Sequence, residues 1–355
     1  MTSMTVAAAT TGDLAARWVA LRTDEPNLRI RDAALKLGVS EAELLATRIG
    51  NGVQRLQGPW PELIRGVGKL GPVMALTRND SVVHERHGTY GELSVDGHVG
   101  LIVGEDIDLR IFFSPWTHGF AVVEDTRAGP RRSLQVFDGA GRAIHKIYAT
   151  EATDMAAFDG LVARFLAPDQ SPGVAVSPAP VRAAPRPDGE IDVEGLRREW
   201  SELKDTHDFF PLLRRHKVAR EQAFRLAGGQ FAECVADTAA RHMLELASAR
   251  HVPIMVFVGN PGMIQIHTGP VSRLVATGSW FNVLDPIFNL HLREDAIASS
   301  WLVRKPSVDG TITSLELFDS AGELIVSFFG KRKPGQPELP EWRELAESLV
   351  QVRAA

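Results

Sequence analysis

The chain has 355 residues, of which 44% are apolar and 23% are charged, so it is long enough for two domains with full cores. Its formal net charge of −5 argues against a partner held mainly through phosphates, and its single cysteine, Cys234, excludes an internal disulfide framework. There is no signal-peptide pattern, and no segment reaches the ~18 apolar residues that span a bilayer. We therefore expect a cytoplasmic protein without membrane insertion.

A helical segment precedes the first strands. Residues 30–45, IRDAALKLGVSEAELL, predict two helices joined at a Gly-Val turn, with Ser40 as N-cap and Glu43 three residues later. The pattern resembles a helix-turn-helix, but a DNA-reading helix needs cations near its N-terminal end, and this one begins with Glu41 and Glu43. We expect no nucleic-acid partner.

Strand patterns follow the helical segment. Residues 134–137 (LQVF) and 315–318 (LELF) each precede Asp, two small residues and Gly, which predicts β-hairpins with short turns. Polar and apolar residues alternate at 107–111 and 288–292. Because the connections are short, the sheets are predicted to be antiparallel meanders, and the fold class is α+β.

The chain contains a tandem repeat. Residues 73–149 align with residues 254–330 at a constant shift of 181, and the helical segments align at a shift of 179. We predict a first repeat at residues 12–165, a Pro/Ala-rich linker at 166–190 and a second repeat at 191–350. Each repeat should be a helical segment followed by a sheet, and the linker should be partly extended and pack little.

One histidine of the second repeat stands at a break between two predicted helices. His207 follows the amphipathic run that ends at Leu203 and precedes an apolar run that begins at Phe209. An imidazole presented by an apolar wall suits haem, whose iron takes a nitrogen ligand and whose macrocycle needs apolar surroundings. The second ring nitrogen would need an acceptor, for which Asp205 and Asp208 are candidates.

Several motifs resemble the HemS/ChuS/PhuS family of cytoplasmic haemin-utilisation proteins over nearly the whole chain. They are DTHDFF at 205–210, IDLRIFFSPWTHGFAV at 107–122, RKP at 304–306 and SFFGKRKPGQPELPEW at 327–342. The resemblance implies a haem-binding and trafficking protein of haem iron acquisition, with one haem in the cleft between the repeats. It leaves open a haem oxygenase that releases iron and a tetrapyrrole. A non-haem ligand-binding or interaction module is a further alternative.

The resemblance also implies roles for individual residues. His207 would be the axial iron ligand, and Arg110 would face the iron from the other side, holding a water or an oxygen ligand there. The cations Arg220, Lys305 and Arg332 would lie near the propionates. If haem is bound, the aromatic residues Phe209, Phe257 and Phe329 are candidate apolar contacts with the macrocycle, with core packing as the alternative role for each. Expected partners besides haem are a haem importer on the cytoplasmic side and a haem oxygenase as acceptor.

The repeat offers a physical check on these roles. Lys305, Arg332 and Arg220 align with three glutamates of the first repeat, Glu124, Glu151 and Glu41, and His207 aligns with Leu28. Glutamates repel propionates and leucine cannot ligate iron, so the sequence predicts one haem site rather than two. Whether His84 or His87 forms a second site stays open.

Overall fold

A computed structural model describes residues 11–126, 129–333 and 335–351. The described helices are α1 (Thr11–Asp24), α2 (Ile30–Leu37), α3 (Glu41–Ala46), α4 (Trp60–Val67), α5 (Met155–Phe165), α6 (Val193–Ser201), α7 (Phe209–His216), α8 (Arg220–Ala227), α9 (Ala239–Ala249) and α10 (Pro340–Gln351). The strands before the linker are β1 (Val53–Leu56), β2 (Val73–Arg78), β3 (Val82–Gly88), β4 (Ser94–Asp96), β5 (Val99–Ile102), β6 (Asp108–Phe112), β7 (His118–Thr126), β8 (Gly129–Phe137) and β9 (Ala143–Ala149). The strands after it are β10 (Ala232–Val235), β11 (Ile254–Asn260), β12 (Met263–Gly269), β13 (Leu274–Thr277), β14 (Trp280–Leu284), β15 (Phe288–Arg293), β16 (Ser299–Ser307), β17 (Gly310–Phe318) and β18 (Leu324–Gly330).

Local signals account for several element ends. The predicted capping box of α3 is present, since Ser40 Oγ accepts from Glu43 N (3.2 Å) and Glu43 Oε2 accepts from Ser40 N (2.8 Å). In the β8–β9 turn Asp138 Oδ1 accepts from the N–H groups of Ala140 and Arg142, and Gly141 takes a left-handed φ of 78°. Asp319 and Gly322 repeat this turn between β17 and β18, which confirms both predicted hairpins.

The strands form two nine-stranded antiparallel sheets, and each sheet contains strands of both repeats. Sheet A has the order β1-β7-β8-β9-β2-β3-β15-β14-β13, and sheet B has the order β10-β16-β17-β18-β11-β12-β6-β5-β4. The β4–β6 meander therefore joins the sheet of the second repeat at β12, and the β13–β15 meander joins the sheet of the first repeat at β3. Such a reciprocal exchange gives the molecule an approximate internal two-fold relation.

Two asparagines at equivalent positions lock the repeats together. Asn79 Nδ2 donates to Gly259 O (3.2 Å) and Ile325 O (2.8 Å), and Asn260 Nδ2 donates to Arg78 O (3.0 Å) and Ile144 O (2.8 Å). The two asparagines lie at the tips of the β2–β3 and β11–β12 hairpins. Each side-chain amide thus donates to backbone carbonyls of the opposite repeat.

The cores follow the same exchange. One core packs α4 and α5 on sheet A together with residues of β5 and β6, and another packs α9 and α10 on sheet B together with residues of β14 and β15. Helices α6–α8 cover part of the outer face of sheet B, and α1–α3 cover the corresponding part of sheet A. The uncovered remainder of each outer face is where a ligand can reach the sheet.

The predicted α+β class with two related halves is confirmed, while two details differ. The sheets are not simple meanders, because β9 pairs with β2 and each outer meander crosses to the other sheet. The linker also packs more than predicted: Gln170 exchanges hydrogen bonds with the Arg55 backbone, and Arg182 Nη1 donates to Ala321 O (2.8 Å). The limits set for the two repeats stay a prediction. None of the described helices is long and apolar enough to cross a bilayer.

Candidate functional site

His207 lies on a short 3-10 turn, Thr206–Asp208, directly before α7. Its side chain is 86% exposed, and its Nδ1 lies 2.7 Å from Asp205 Oδ1, which also accepts from the backbone N–H of His207 (2.8 Å). The hydrogen bond from that N–H lowers the pKa of the Asp205 carboxyl, so the acceptor stays ionised. Asp205 is therefore the acceptor that was predicted for the other ring nitrogen of His207, and Nε2 is left to bind a ligand.

An aromatic cluster fixes this turn to sheet B. Phe209, the first residue of α7, is 2% exposed and packs edge-on against Trp200 with ring centroids 4.6 Å apart. It also stacks on Phe224 at 6.0 Å, and Val308 N donates to Lys204 O (2.9 Å) beside the turn. The packing holds the imidazole in place, and it also means that Phe209 is a core residue rather than an open ligand surface.

Next to this cluster the outer face of sheet B is apolar and only half-buried. Phe257 on β11 and Phe329 on β18 project from the same face, and their rings meet edge-on at 5.0 Å. Arg110 on β6 pairs with Ile264 on β12, which pairs in turn with Gly259 on β11. Because neighbouring strands lie about 4.8 Å apart, β6 with Arg110 lies about two strand spacings from β11 with Phe257. On β6 itself Arg110 forms an ion pair with Asp108.

Two of the predicted propionate cations are held by a buried carboxylate. Glu316 on β17 is fully buried, and Arg220 donates to it from Nε (2.7 Å) and Nη2 (3.0 Å) while Lys305 Nζ donates at 2.5 Å. Burial opposes ionisation of Glu316, but the two cations lower its pKa to about 2. Burial, together with the charge of Arg220, lowers the pKa of Lys305 to about 8, and Glu316 offsets this effect only in part. This triad carries one surplus positive charge.

Arg332, which follows β18, lies apart from the triad of Arg220, Lys305 and Glu316. It is half-buried, with Nη1 3.3 Å from Asp309 Oδ2 in the turn between β16 and β17. Its charge also contributes to the lowered pKa of Asp205, so it stands near the His207 turn. Lys305 connects the two ends of the site, since its Nζ lies 4.8 Å from the Phe209 ring centroid and 5.9 Å from that of Phe329.

A cavity of about 1680 Å³ opens between the repeats beside this face. It is bounded by α2, the β2–β3 and β8–β9 turns, linker residues 177–182, the α7–α8 region and the β11–β12 and β17–β18 turns. Arg220, Phe257 and Phe329 line it, whereas His207, Arg110, Lys305 and Arg332 do not. The predicted site residues thus form two groups, one on the cavity wall and one around the turn and strand edges next to it.

Sequence reasoning missed Glu316, which organises the charged part of the site. It lies on the LELF strand that was assigned only to a hairpin, and its aligned partner is Gln135. A glutamate at an alternating position of an otherwise apolar strand was the available signal.

The corresponding face of sheet A has different chemistry. Leu28 stands where His207 does, Tyr148 takes the place of Phe329, and His291 takes the place of Arg110. Glu41 at the start of α3 forms a buried ion pair with Lys146 on β9. Burial alone would lower the pKa of Lys146, but the Glu41 charge raises it above its usual value. Glu41 is therefore occupied, and no nitrogen ligand replaces His207 there.

The two other candidate histidines lie apart from this site. His84 is fully buried beside Phe288 (5.0 Å between ring centroids), and burial lowers its pKa well below the usual value. His87 is half-buried on β3 opposite Met74. Among the described residues there is no group of three or more His, Cys, Asp or Glu side chains that could hold a metal ion.

Comparisons with known proteins agree with this architecture. The family model described as "Haemin-degrading HemS.ChuX domain" matches residues 38–165 and 217–349. The hemin transport protein HmuS of Yersinia pestis is 40% identical over 335 residues, which cover 94% of this chain and 96% of that protein.

Solved structures also match this chain over nearly its whole length. Holo-PhuS, a heme-binding protein from Pseudomonas aeruginosa, has a TM-score of 0.94 and 50% identity, covering 96% of this chain and 99% of that one. ChuS, described as an E. coli heme oxygenase, has a TM-score of 0.85 and 37% identity, covering 95% and 99% of the two chains. Because the family model matches most of the sequence, in two copies, the chain belongs to the haemin-degrading HemS/ChuX domain family.

Proposed function

We propose that this protein binds one haem on the outer face of sheet B and carries it in the cytoplasm during haem iron acquisition. The observation that carries the proposal is His207, whose imidazole is oriented by Asp205 through Nδ1 and keeps Nε2 free on an exposed turn. The relatives support the ligand, since HmuS is named a hemin transport protein and PhuS a heme-binding protein.

The residues present fit an iron porphyrin. His207 would hold the iron, and the half-buried rings of Phe257 and Phe329 offer an apolar surface for the macrocycle. Arg220, Lys305 and Arg332 would attract the propionates, although each already contacts a carboxylate. The surplus charge of the triad of Arg220, Lys305 and Glu316 remains available to a propionate, because two cations share one carboxylate.

Arg110 would complete the site from the edge of the sheet. It belongs to the β4–β6 meander, which the first repeat contributes to sheet B, so both repeats would contact one ligand. Its guanidinium is half-buried and held by Asp108, and could donate to a water or oxygen on the open side of the iron. Burial raises the pKa of Asp108, against the opposing effect of Arg110. When bound, haem itself would supply the redox chemistry.

An absorption titration with haemin tests the proposal. The wild-type chain should give a Soret band typical of histidine ligation, and His207→Ala should weaken binding by more than the roughly 10- to 100-fold typical of losing an outer-shell partner. His242→Ala, a histidine of α9 on the other face of sheet B, is the matched control and should bind as the wild type does. Unchanged affinity and spectrum in His207→Ala would remove the proposal.

Haem degradation is a second candidate function, favoured by the likeness to ChuS. Reductant added to the haem complex in the presence of catalase distinguishes the two functions. An oxygenase loses the Soret band and releases iron and a tetrapyrrole, whereas a carrier keeps the ring intact and yields haem to an apo acceptor protein. A haem importer and a haem oxygenase are the partners we propose on either side of the carrier.

A further inference from the structure

Asp108 holds the side chain of Arg110, which the first repeat contributes to the face of sheet B. The two residues are two positions apart on β6, so their side chains project from the same face of the sheet. Nη1 of Arg110 donates to Asp108 Oδ1 and also to Leu109 O (3.4 Å). No described residue accepts from Nε or Nη2 of Arg110, so one part of the guanidinium is fixed and the other is left for a ligand.

The strands beside β6 offer Arg110 no side-chain acceptor among the described residues. Its cross-strand neighbours are Ile264 on β12 and Leu101 on β5, and both are half-buried aliphatic side chains. Asp108 itself lies opposite the buried Ile266. An arginine between aliphatic neighbours can adopt several rotamers, so the ion pair with Asp108 is the interaction that selects one of them.

The stability of the sheet does not account for an acid at position 108. The Asp108 side chain is only 16% exposed, and an ionised carboxylate beside aliphatic side chains is unfavourable unless it is paired. Burial accordingly raises the pKa of Asp108, and the charge of Arg110 opposes this effect. At the aligned position of sheet A the chain has Asn289, so the fold does not require an acid there. The presence of Asp108 is therefore best explained by its contact with Arg110.

We propose, as an inference that rests on the proposed haem binding, that Asp108 is a positioning residue for the open side of the iron. By fixing Nη1 it orients Arg110 so that Nε and Nη2 can donate to a small anionic ligand. Asp205 has the same relation to His207, since it contacts Nδ1 from two positions earlier in the chain and leaves Nε2 free. A donor that is already ordered binds its ligand more strongly, because less side-chain entropy is lost on binding.

Fluoride titrated into the ferric haem complex tests the proposal, because fluoride on the iron is an anion that accepts hydrogen bonds. Asp108→Ala should weaken fluoride binding about tenfold, and Asp108→Asn, which keeps an acceptor oxygen, should recover part of the loss. Imidazole offers no acceptor once its nitrogen is bound to iron, so its affinity should be the same in all three proteins. Fluoride binding to Asp108→Ala that equals or exceeds that of the wild type would overturn the proposal.

A double-mutant cycle separates positioning from the charge of the carboxylate. Loss of a negative charge by itself favours an anionic ligand, so Asp108→Ala made in Arg110→Ala should leave fluoride binding unchanged or slightly stronger. Asp96→Ala is the matched control, because it removes an exposed carboxylate from β4, two strands from β6 in the same sheet. It should bind fluoride as the wild type does. A loss in Asp108→Ala that is equally large without Arg110, or that Asp96→Ala reproduces, would contradict the assignment.

A measurement on the haem-free chain distinguishes failure of this inference from failure of the proposed function. In nuclear magnetic resonance relaxation, the Nε–H group of Arg110, assigned by its loss in Arg110→Lys, should be nearly as rigid as the β6 backbone. In Asp108→Ala it should become mobile on the picosecond-to-nanosecond timescale. Equal mobility in both proteins would overturn the positioning role even where haemin binds, whereas a rigid Arg110 in a chain that forms no complex with haemin would overturn the haem proposal and this role with it.

Discussion

Each repeat has an ion pair between equivalent helices, α3 or α8, and the sheet on which the helix packs. The positions of the positive and negative side chains are reversed between the two repeats. In the first repeat the helix supplies the carboxylate, Glu41 of α3, and the sheet supplies Lys146. In the second repeat the helix supplies Arg220 of α8, and the sheet supplies Glu316 together with a second cation, Lys305. Because the fold is compatible with both arrangements of charge, the arrangement in each repeat can be determined by the ligand that the repeat binds.

The difference in charge explains why one face suits an anionic ligand better than the other. Lys146 is paired with Glu41, which it does not share with a second cation of the triad kind, and the pKa of Lys146 is raised despite burial. Lys305 must share Glu316, and burial lowers its pKa to about 8. A propionate near Lys305 would relieve that shortage of negative charge, whereas one near Lys146 would compete with a satisfied pair.

The largest expected effect comes from removing the centre of the charged triad. Glu316→Gln introduces the side chain that the first repeat has at Gln135, and it leaves the buried Lys305 and the half-buried Arg220 without their carboxylate. The free energy of unfolding should fall by about 3–5 kcal/mol in urea denaturation. Glu194→Gln, which breaks the exposed pair with Arg197, should change it by no more than about 1 kcal/mol. Equal losses in both variants would show that the triad has no special role.

Acid should lower the stability of the folded chain through buried histidines. Burial lowers the pKa values of His145 and His267 to about 3, with Arg86 adding to the effect on His267. Both side chains are neutral when folded but titrate near 6.5 when unfolded, so the unfolded state binds more protons as the pH falls from about 6.5 towards 3. Each histidine should therefore remove about 1.4 kcal/mol of stability between pH 7.5 and 5.5.

Urea denaturation at the two pH values checks this prediction. His267→Gln should flatten the pH dependence of the free energy of unfolding by about one histidine's share. A free energy of unfolding that is the same at both pH values would contradict the account.

The smallest expected effect compares equivalent positions on the two outer faces. Arg110→Ala should weaken haemin binding about tenfold and change the spectrum, because it removes a charged donor from the open side of the iron. His291→Ala, at the aligned position on sheet A, should change neither quantity, since its Nδ1 is engaged by Asn282 Oδ1 (2.7 Å) on the neighbouring strand. Titrations of both variants against the wild type make the comparison, and an effect of His291→Ala as large as that of Arg110→Ala would argue for two sites.

Much of the local structure could be predicted from the sequence because it depends on short-range signals. The capping box at Ser40 and the aspartate-glycine turns at Asp138 and Asp319 are fixed by neighbouring residues. The contact between His207 Nδ1 and Asp205 is also local, since the two residues are two positions apart.

The exchange of the β4–β6 and β13–β15 meanders could not be predicted in this way. Because the repeats are alike, β6 could pair with β3 of its own repeat or with the equivalent strand β12 of the other repeat. The alternation of polar and apolar side chains is compatible with both pairings. The choice depends on long-range packing such as the Asn79 and Asn260 contacts between the hairpin tips. For the same reason the sharing of Glu316 between Arg220 and Lys305, residues far apart in the chain, was not visible from the aligned charges.

The number of haem molecules bound per chain tests the central claim most directly. Haemin titrated into a known concentration of the full chain, followed at the Soret maximum, should reach its end point at one haem per chain. Beside sheet B, His207 stands on an exposed turn and the triad has one surplus positive charge, whereas beside sheet A Leu28 takes the place of His207 and Lys146 is paired with Glu41. An end point at two equivalent haems per chain would show that the face of the first repeat binds equally well and would contradict the account.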